Sequence, residues 1–254
     1  MTVNLYYKKY GVNTNSDTEI LLYMYIEHGL ECFKYISGMF SFAIWDNVKE
    51  EIVIARDPLG IKPLYYHFNN NQLSFCSEIK ALIKSKRFDY KLNYEAISSY
   101  LLSGYFHEPN TIIDNIYQLE SGHCIIFNKN SFSKIEYDKN TIKNNNKEMS
   151  QDDTSVTVKN SFEKSVRYHM ESDVPIGLLL SGGLDSSAVL CSMANIRADE
   201  SNKTRLAEDW QKAFVLEFAG TSHSEKKYAE KVINHTKAVP VYREISLSNI
   251  STRL

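Results

Sequence analysis

Leu178-Leu179-Leu180-Ser181-Gly182-Gly183-Leu184-Asp185-Ser186-Ser187 is the stretch around which the second half of the chain is organised. An apolar run over 174–180 stops at two glycines, and a helix-compatible segment over 184–195 follows at once. This predicts a buried strand, a tight loop and a helix N-terminus. Such a junction binds anions. Glycines let backbone N–H groups approach an oxyanion with no Cβ in the way, and first-turn amides with the positive end of the helix dipole favour phosphate. Ser181, Ser186 and Ser187 add hydroxyl donors. Asp185 would repel a phosphate unless a cation such as Mg²⁺ lay between them, so its presence points to metal-bound pyrophosphate.

A Walker A loop requires Lys before Ser/Thr and a dinucleotide fingerprint requires a third glycine, and neither is present. An isolated Gly-Gly would be read as an ordinary strand-to-helix turn. Ser-Gly-Gly-Leu-Asp-Ser-Ser with these flanks instead resembles the pyrophosphate loop of the ATP pyrophosphatases, which adenylate a carboxyl or carbonyl oxygen and release pyrophosphate.

Downstream, a helix over 184–195, a strand over 213–218, a helix over 224–236 and a strand over 239–245 continue from the strand over 174–180. The alternation predicts a parallel sheet with right-handed crossovers and a ligand at the carboxyl ends of its strands. The polar segment 197–211 reads as a surface insertion that Trp210 could anchor. Upstream, Val158, Phe162, Val166 and Met170 recur every four residues, an amphipathic helix whose stripe is expected in the core. Residues 139–148 are polar and nearly free of apolar side chains, the composition of an interdomain linker.

Ahead of the linker, Ser16-Asp17-Thr18-Glu19 forms a capping-box pattern before Ile20, Leu21, Met24 and Tyr25, with Gly29 placed to end the helix. The runs 39–46 and 51–56 predict an antiparallel hairpin across Asn47-Val48-Lys49-Glu50, and their near-continuous apolar character predicts cover on both faces. A second hairpin pairs 63–68 with 72–77. A short helix over 78–86, a helix to residue 102 capped by Asn93, and a strand over 122–127 complete this half.

Composition sets the class. The 254 residues are 43% apolar, enough for one or two domains with real cores. A net charge of −2, from 29 basic and 31 acidic residues, gives no field that selects nucleic acid or an anionic membrane. Cys32, Cys76, Cys124 and Cys191 are widely spaced among apolar neighbours, which reads as buried free thiols in a reducing compartment. No apolar run reaches spanning length and there is no signal-peptide pattern, so the expected location is the cytoplasm.

Three motifs carry a closer resemblance. Arg56-Asp57-Pro58-Leu59-Gly60-Ile61-Lys62-Pro63-Leu64-Tyr65, Gly38-Met39-Phe40-Ser41-Phe42-Ala43 and Ser77-Glu78-Ile79-Lys80-Ala81-Leu82 resemble the second half of the class II glutamine amidotransferase domain of asparagine synthetases. With the Ser181–Ser187 loop in that order, the chain resembles a glutamine-hydrolysing asparagine synthetase. The resemblance implies the later part of an Ntn-type αββα amidotransferase domain over 1–137, a linker over 138–152, and the start of a Rossmann-like parallel-sheet ATP-pyrophosphatase domain over 153–254. The Arg56 to Tyr65 motif is expected to be scaffold, because turn prolines and glycine pin a corner there.

The resemblance also implies sites and reactants. Leu180, Ser181, Gly182, Gly183, Asp185, Ser186 and Leu216 match positions that bind ATP or pyrophosphate, Asp185 through Mg²⁺, and Asp17 matches a glutamine ligand. Core packing competes as a reading of both leucines. Glu217 stands where the family has a small residue. The family's N-terminal Cys nucleophile has no match, since residue 2 is Thr and the first cysteine is Cys32, so no complete glutaminase centre is expected. The family's later Ser-Gly-Glu loop has no match either. The expectation is an internal piece of an ATP-dependent ligase that uses aspartate, glutamine, ATP and Mg²⁺, with no nucleic acid or membrane partner. Such a piece should expose sheet edges and pair with a second copy or a complementary fragment. Two further readings remain open: an inactive remnant that binds nucleotide or a partner chain, and a related amidotransferase, such as a β-lactam synthetase-like enzyme, acting on another carboxylate.

Overall fold

The structure is a computed structural model and describes residues 14, 16–87, 89–138, 150–172, 174–198, 212–217 and 225–245. The chain divides into two compact units, Met1–Asn144 and Asn145–Leu254. Most of the expected linker, residues 139–149, lies outside the described residues, as do Trp210 and nearly all of the expected insertion.

The first unit is layered. Helix α1 (Asp17–His28) and the 3₁₀ turn Gly29–Tyr35 lie on a sheet ordered β1 (Ser41–Asp46), β2 (Glu51–Arg56), β6 (His123–Asn128), β7 (Phe132–Glu136). All its pairings are antiparallel. A second sheet places β3 (Tyr65–Asn69) between β4 (Gln72–Cys76) and β5 (Tyr117–Gln118). Strand alternation builds the layers. Val53 and Ala55 of β2 join Ile20, Met24, Cys32 and Phe33 in one cluster, whereas Ile54 of the same strand joins Leu64, Tyr66, Leu119 and Ile125 in the next. Tyr65 then turns to the outer layer, where helix α2 (Ile79–Lys84) supplies Leu82 beside Ile113 and Ile116. Helix, sheet, sheet, helix is the αββα order. Helix α3 (Tyr94–Ser103) begins where Asn93 Oδ1 accepts from the Ala96 amide at 3.0 Å and ends at left-handed Gly104.

Two expectations for this unit need correction. Cover on both faces holds for β2 but not for β1, whose Ala43 and Trp45 point outward, Trp45 at 59% exposure. β1 is a sheet edge, and none of its residues joins the cluster shared by the two sheets. The capping box is also incomplete: Ser16 accepts from the Thr18 amide at 3.3 Å, but Glu19 turns back to the Thr14 amide at 3.0 Å. A donor two residues before the cap, the Thr14 amide, captures the carboxylate that would have closed the box.

The second unit is a small α/β piece whose helices share one core with one face of a parallel sheet. Helix α4 (Gln151–His169) starts at Ser150, whose Oγ accepts from the Asp153 amide at 3.1 Å. The chain continues through β8 (Gly177–Leu179), α5 (Leu184–Ala198), β9 (Lys212–Glu217), α6 (Lys226–Thr236) and β10 (Val239–Glu244). The sheet order is β10-β9-β8 and both pairings are parallel. Leu180, Leu190, Met193, Ile196, Ala213, Val215, Ala229 and Ile233 form its core. Each large aliphatic side chain buried this way contributes on the order of 1.5–3 kcal/mol.

The strand expected over 174–180 is only three residues long, with Val174 65% and Leu179 74% exposed. Only one face of this segment is packed: Leu178 and Leu180 turn to the core, whereas Leu179 faces away from it. The stripe on α4 divides: Val166 and Met170 enter the core, whereas Val158 is 62% and Phe162 37% exposed. The helix enters the core only from Val166 onward, so the same periodic face is exposed along its first three turns. Among the described residues no helix is long and apolar enough to cross a membrane.

Candidate functional site

The loop after β8 is built from its ends inward. Gly177 opens the strand because a Cβ there would lie 2.4 Å from the Phe214 ring of β9, so only glycine admits that ring. Leu180 donates its amide to Phe214 O at 2.8 Å, extending the parallel ladder one step past the strand, and its side chain is 2% exposed in the core. The chain then turns at Gly182, which has φ +83°. Any Cβ on Gly182 would come within 2.7 Å of the Ala229 amide nitrogen and 3.0 Å of Glu225 O in the first turn of α6. Residue 182 is glycine for conformation and for space at once.

The polar groups of the turn are tied to one another. Ser181 Oγ accepts from the Gly183 amide at 3.2 Å and lies 3.0 Å from Ser186 Oγ. Ser186 Oγ is also 3.4 Å from Gly183 O, and the Ser187 amide donates to Gly183 O at 3.1 Å. These bonds set the loop's shape before any ligand arrives. Helix α5 starts at Leu184, placing Asp185 in its first turn with an exposed carboxylate. Phosphate oxygens would meet hydroxyls, a helix N-terminus and one carboxylate here.

Ser181, Gly182, Gly183, Asp185 and Ser186 are therefore brought together on one exposed turn. Leu216 lies two residues beyond Phe214 on the neighbouring strand and is 49% exposed, at the same carboxyl end of the sheet. Leu180 offers only backbone to that end, because its side chain is core. Asp17 stands apart in the first unit, exposed at the first turn of α1 with its carboxylate in the favourable field of the helix dipole. Mg²⁺ fits the donor set as a single carboxylate completed by phosphate oxygens and water, the arrangement that ion favours. Among the described residues no group of three or more His, Cys, Asp or Glu converges on a metal position. An open groove lined in part by Thr154, Val158, Phe162 and Ala188 shares no residue with the loop.

The neighbours that no local signal announced are charged. Glu217 Oε2 accepts from Lys226 Nζ at 2.9 Å, and that ammonium lies 5.2 Å from the centroid of the Tyr242 ring. In the first unit, the buried Arg56 donates to Lys62 O at 2.9 Å, Gly60 O at 2.6 Å, Leu119 O at 2.6 Å and Glu108 Oε1 at 2.5 Å. Asp57 does not pair with it. Its carboxylate accepts from the amides of Leu59, Ile61 and Lys62 at 2.9–3.1 Å. Burial pushes the Asp57 carboxyl up, but these amides outweigh it and hold it below the usual range. The motif is a corner, as expected from its sequence.

A glutamine amidotransferase domain family matches residues 1–138, and an asparagine synthase family matches residues 157–249. Asparagine synthetase (glutamine-hydrolyzing) 1 of Bacillus subtilis is 36% identical over 185 residues, covering 72% of this chain and 29% of that protein. Asparagine synthetase (glutamine-hydrolyzing) 2 of the same organism is 33% identical over 221 residues, covering 83% and 29%. Amidase chry2 of Gibberella zeae is 28% identical over 228 residues, covering 85% and 33%. The chain thus spans about a third of the length of the curated relatives it matches. Among solved structures, the glutamine phosphoribosylpyrophosphate amidotransferase of B. subtilis in complex with ADP and GMP superposes with TM-score 0.38 at 14% identity, over 95% of this chain and 57% of that one.

Proposed function

This chain belongs to the glutamine amidotransferase family, with an asparagine synthase segment after the amidotransferase part, and we propose that it serves ATP-dependent amidation of aspartate with ammonia from glutamine. In this reading the aspartate side-chain carboxylate attacks the α-phosphorus of ATP and pyrophosphate leaves. Ammonia then displaces AMP to form the amide. Adenylation matters because a carboxylate oxygen is a poor leaving group.

The observation that carries the proposal is the prearranged turn, in which Gly182 lets α6 seat against the loop and Ser181 orients the Gly183 amide. Ser181, Ser186 and the first-turn amides of α5 bind the departing pyrophosphate and stabilise its charge. Asp185 would hold Mg²⁺, which when bound neutralises part of the polyphosphate charge. Asp17 would bind the α-amino group of glutamine. We assign the reaction to the cytoplasm, whose reducing conditions suit four free thiols.

A second reading, amidation of a different carboxylate, is kept because the similar proteins include one, Amidase chry2, whose name is not that of an asparagine synthetase. Titration of the full chain with pyrophosphate and with ATP, each with and without Mg²⁺, tests the proposal by calorimetry. The expected outcome is Mg²⁺-dependent binding that Asp185→Asn weakens about tenfold or more, since a neutral amide is a poor ligand for a hard cation. Identical metal-dependent binding in both proteins would refute the role given to Asp185.

A further inference from the structure

Glu217 is the last residue of β9, and on its strand it shares a face with Ala213 and Val215, the two β9 residues in the core under α5 and α6. Its carboxylate therefore leaves the sheet at the carboxyl end on the side where both helices begin. The contact with Lys226, the first residue of α6, fixes that direction. The same first turn of α6 is the surface against which Gly182 of the loop is packed. Loop, Lys226 and Glu217 thus share one rim, and the Glu217 backbone is anchored by the Ile245 amide at 2.8 Å, leaving the side chain as its variable part.

In sheet order β10-β9-β8, the loop follows the first strand of the series and Glu217 ends the second. In dinucleotide-binding parallel sheets the phosphates sit on the loop after the first strand and an acidic side chain further on reaches the ribose hydroxyls; this sheet differs from those in its loop but likewise offers a carboxylate at the carboxyl end of the second strand. A bare carboxylate beside a polyphosphate would repel it. Here Lys226 cancels that charge through Oε2, and among the described residues no donor takes the second oxygen of Glu217. A small residue at position 217 could make no such contact.

We propose that Glu217, positioned and neutralised by Lys226, is a specificity-determining residue that accepts hydrogen bonds from the ribose hydroxyls of the nucleotide bound at the loop. The assignment rests on the reading that the loop receives the polyphosphate of ATP. It makes this site select ribonucleotides over 2′-deoxyribonucleotides through a side chain.

The test compares affinities of the full chain for ATP, 2′-deoxy-ATP and pyrophosphate, all with Mg²⁺, in the unaltered protein, Glu217→Gly and Lys226→Met. Glu217→Gln gives a near-isosteric control, and thermal unfolding checks that each variant is folded. The unaltered protein should favour ATP over 2′-deoxy-ATP by about tenfold, the order expected for a hydrogen bond to a charged group. Glu217→Gly should bring that ratio close to one without changing pyrophosphate affinity, and Glu217→Gln should reduce it. Lys226→Met should weaken both nucleotides and lower the ratio, because the carboxylate loses both its neutralising charge and its anchor. ATP bound with no preference, or a preference that survives Glu217→Gly, overturns the assignment. Pyrophosphate bound without ATP overturns the ribose contact and leaves the loop reading intact, whereas no binding of any of the three removes the loop reading and this one with it.

Discussion

Gly182 and Ala229 are packed so closely that a single Cβ on the glycine would lie 2.7 Å from the alanine's backbone nitrogen. The loop and the first turn of α6 are therefore one object. A methyl group at residue 182 meets backbone on one side and the Tyr228 Cβ on the other, and neither can move like the end of a long side chain.

Gly182→Ala should accordingly destabilise the second unit by about 2–3 kcal/mol, combining an unfavourable positive φ with a backbone clash. Pyrophosphate binding should fall even in the folded fraction. Chemical denaturation of both proteins, followed by titration, separates the two effects. Stability within a few tenths of a kcal/mol of the original would show that α6 does not seat on the loop.

Arg56 is the hub of the first unit, with four acceptors around a guanidinium that is nearly inaccessible. Arg56→Lys cannot reproduce the planar fork and should cost about 2–4 kcal/mol, because carbonyls and Glu108 are left under-satisfied. Arg56→Met should cost a similar amount. A melting temperature unchanged in Arg56→Lys would contradict the hub.

Asp57 supplies an acid-sensitive contribution. Its carboxyl is held below the ordinary value of about 3.9, so the stabilisation is fully present above that pH and is lost as pH falls through the lower folded value. Asp57→Asn, whose amide cannot accept from all three loop N–H groups, should be less stable at neutral pH by about 1–3 kcal/mol. The gap between the two proteins should close in acid. Parallel denaturation curves from neutral pH to pH about 2 measure it, and a gap independent of pH would refute the charge-based account.

Cys32 and Cys124 share the first core, and burial pushes each thiol up to about 11, with Cys32 adding to the effect at Cys124. Native alkylation at pH about 8 should modify the half-buried Cys76 and Cys191 first and spare these two, since the thiolate is the nucleophile. Keeping both thiols neutral contributes stability that is present below an unfolded value of about 8.5 and is lost as pH climbs toward the folded one. Peptide mass mapping of the modified chain decides the order of labelling.

Sequence alone determined the local grammar of the chain. The Ser-Gly-Gly-Leu-Asp-Ser-Ser loop, the caps at Asn93 and Ser16, and the two-faced burial of β2 were legible because glycine, short polar side chains and an unbroken apolar run act over a few residues. The corner at Arg56 to Tyr65 was legible as scaffold for the same reason. Tertiary structure alone decided which patterned faces find a partner. Val158 and Trp45 carry the same apolar signal as Val166 and Ile44, but burial depends on whether another layer reaches that point. It also decided the charge partners: Glu108 is 52 residues from Arg56, and Lys226 meets Glu217 across a helix start and a strand end. A buried or half-buried ion pair is set by where two elements cross, and no spacing along the chain encodes that crossing.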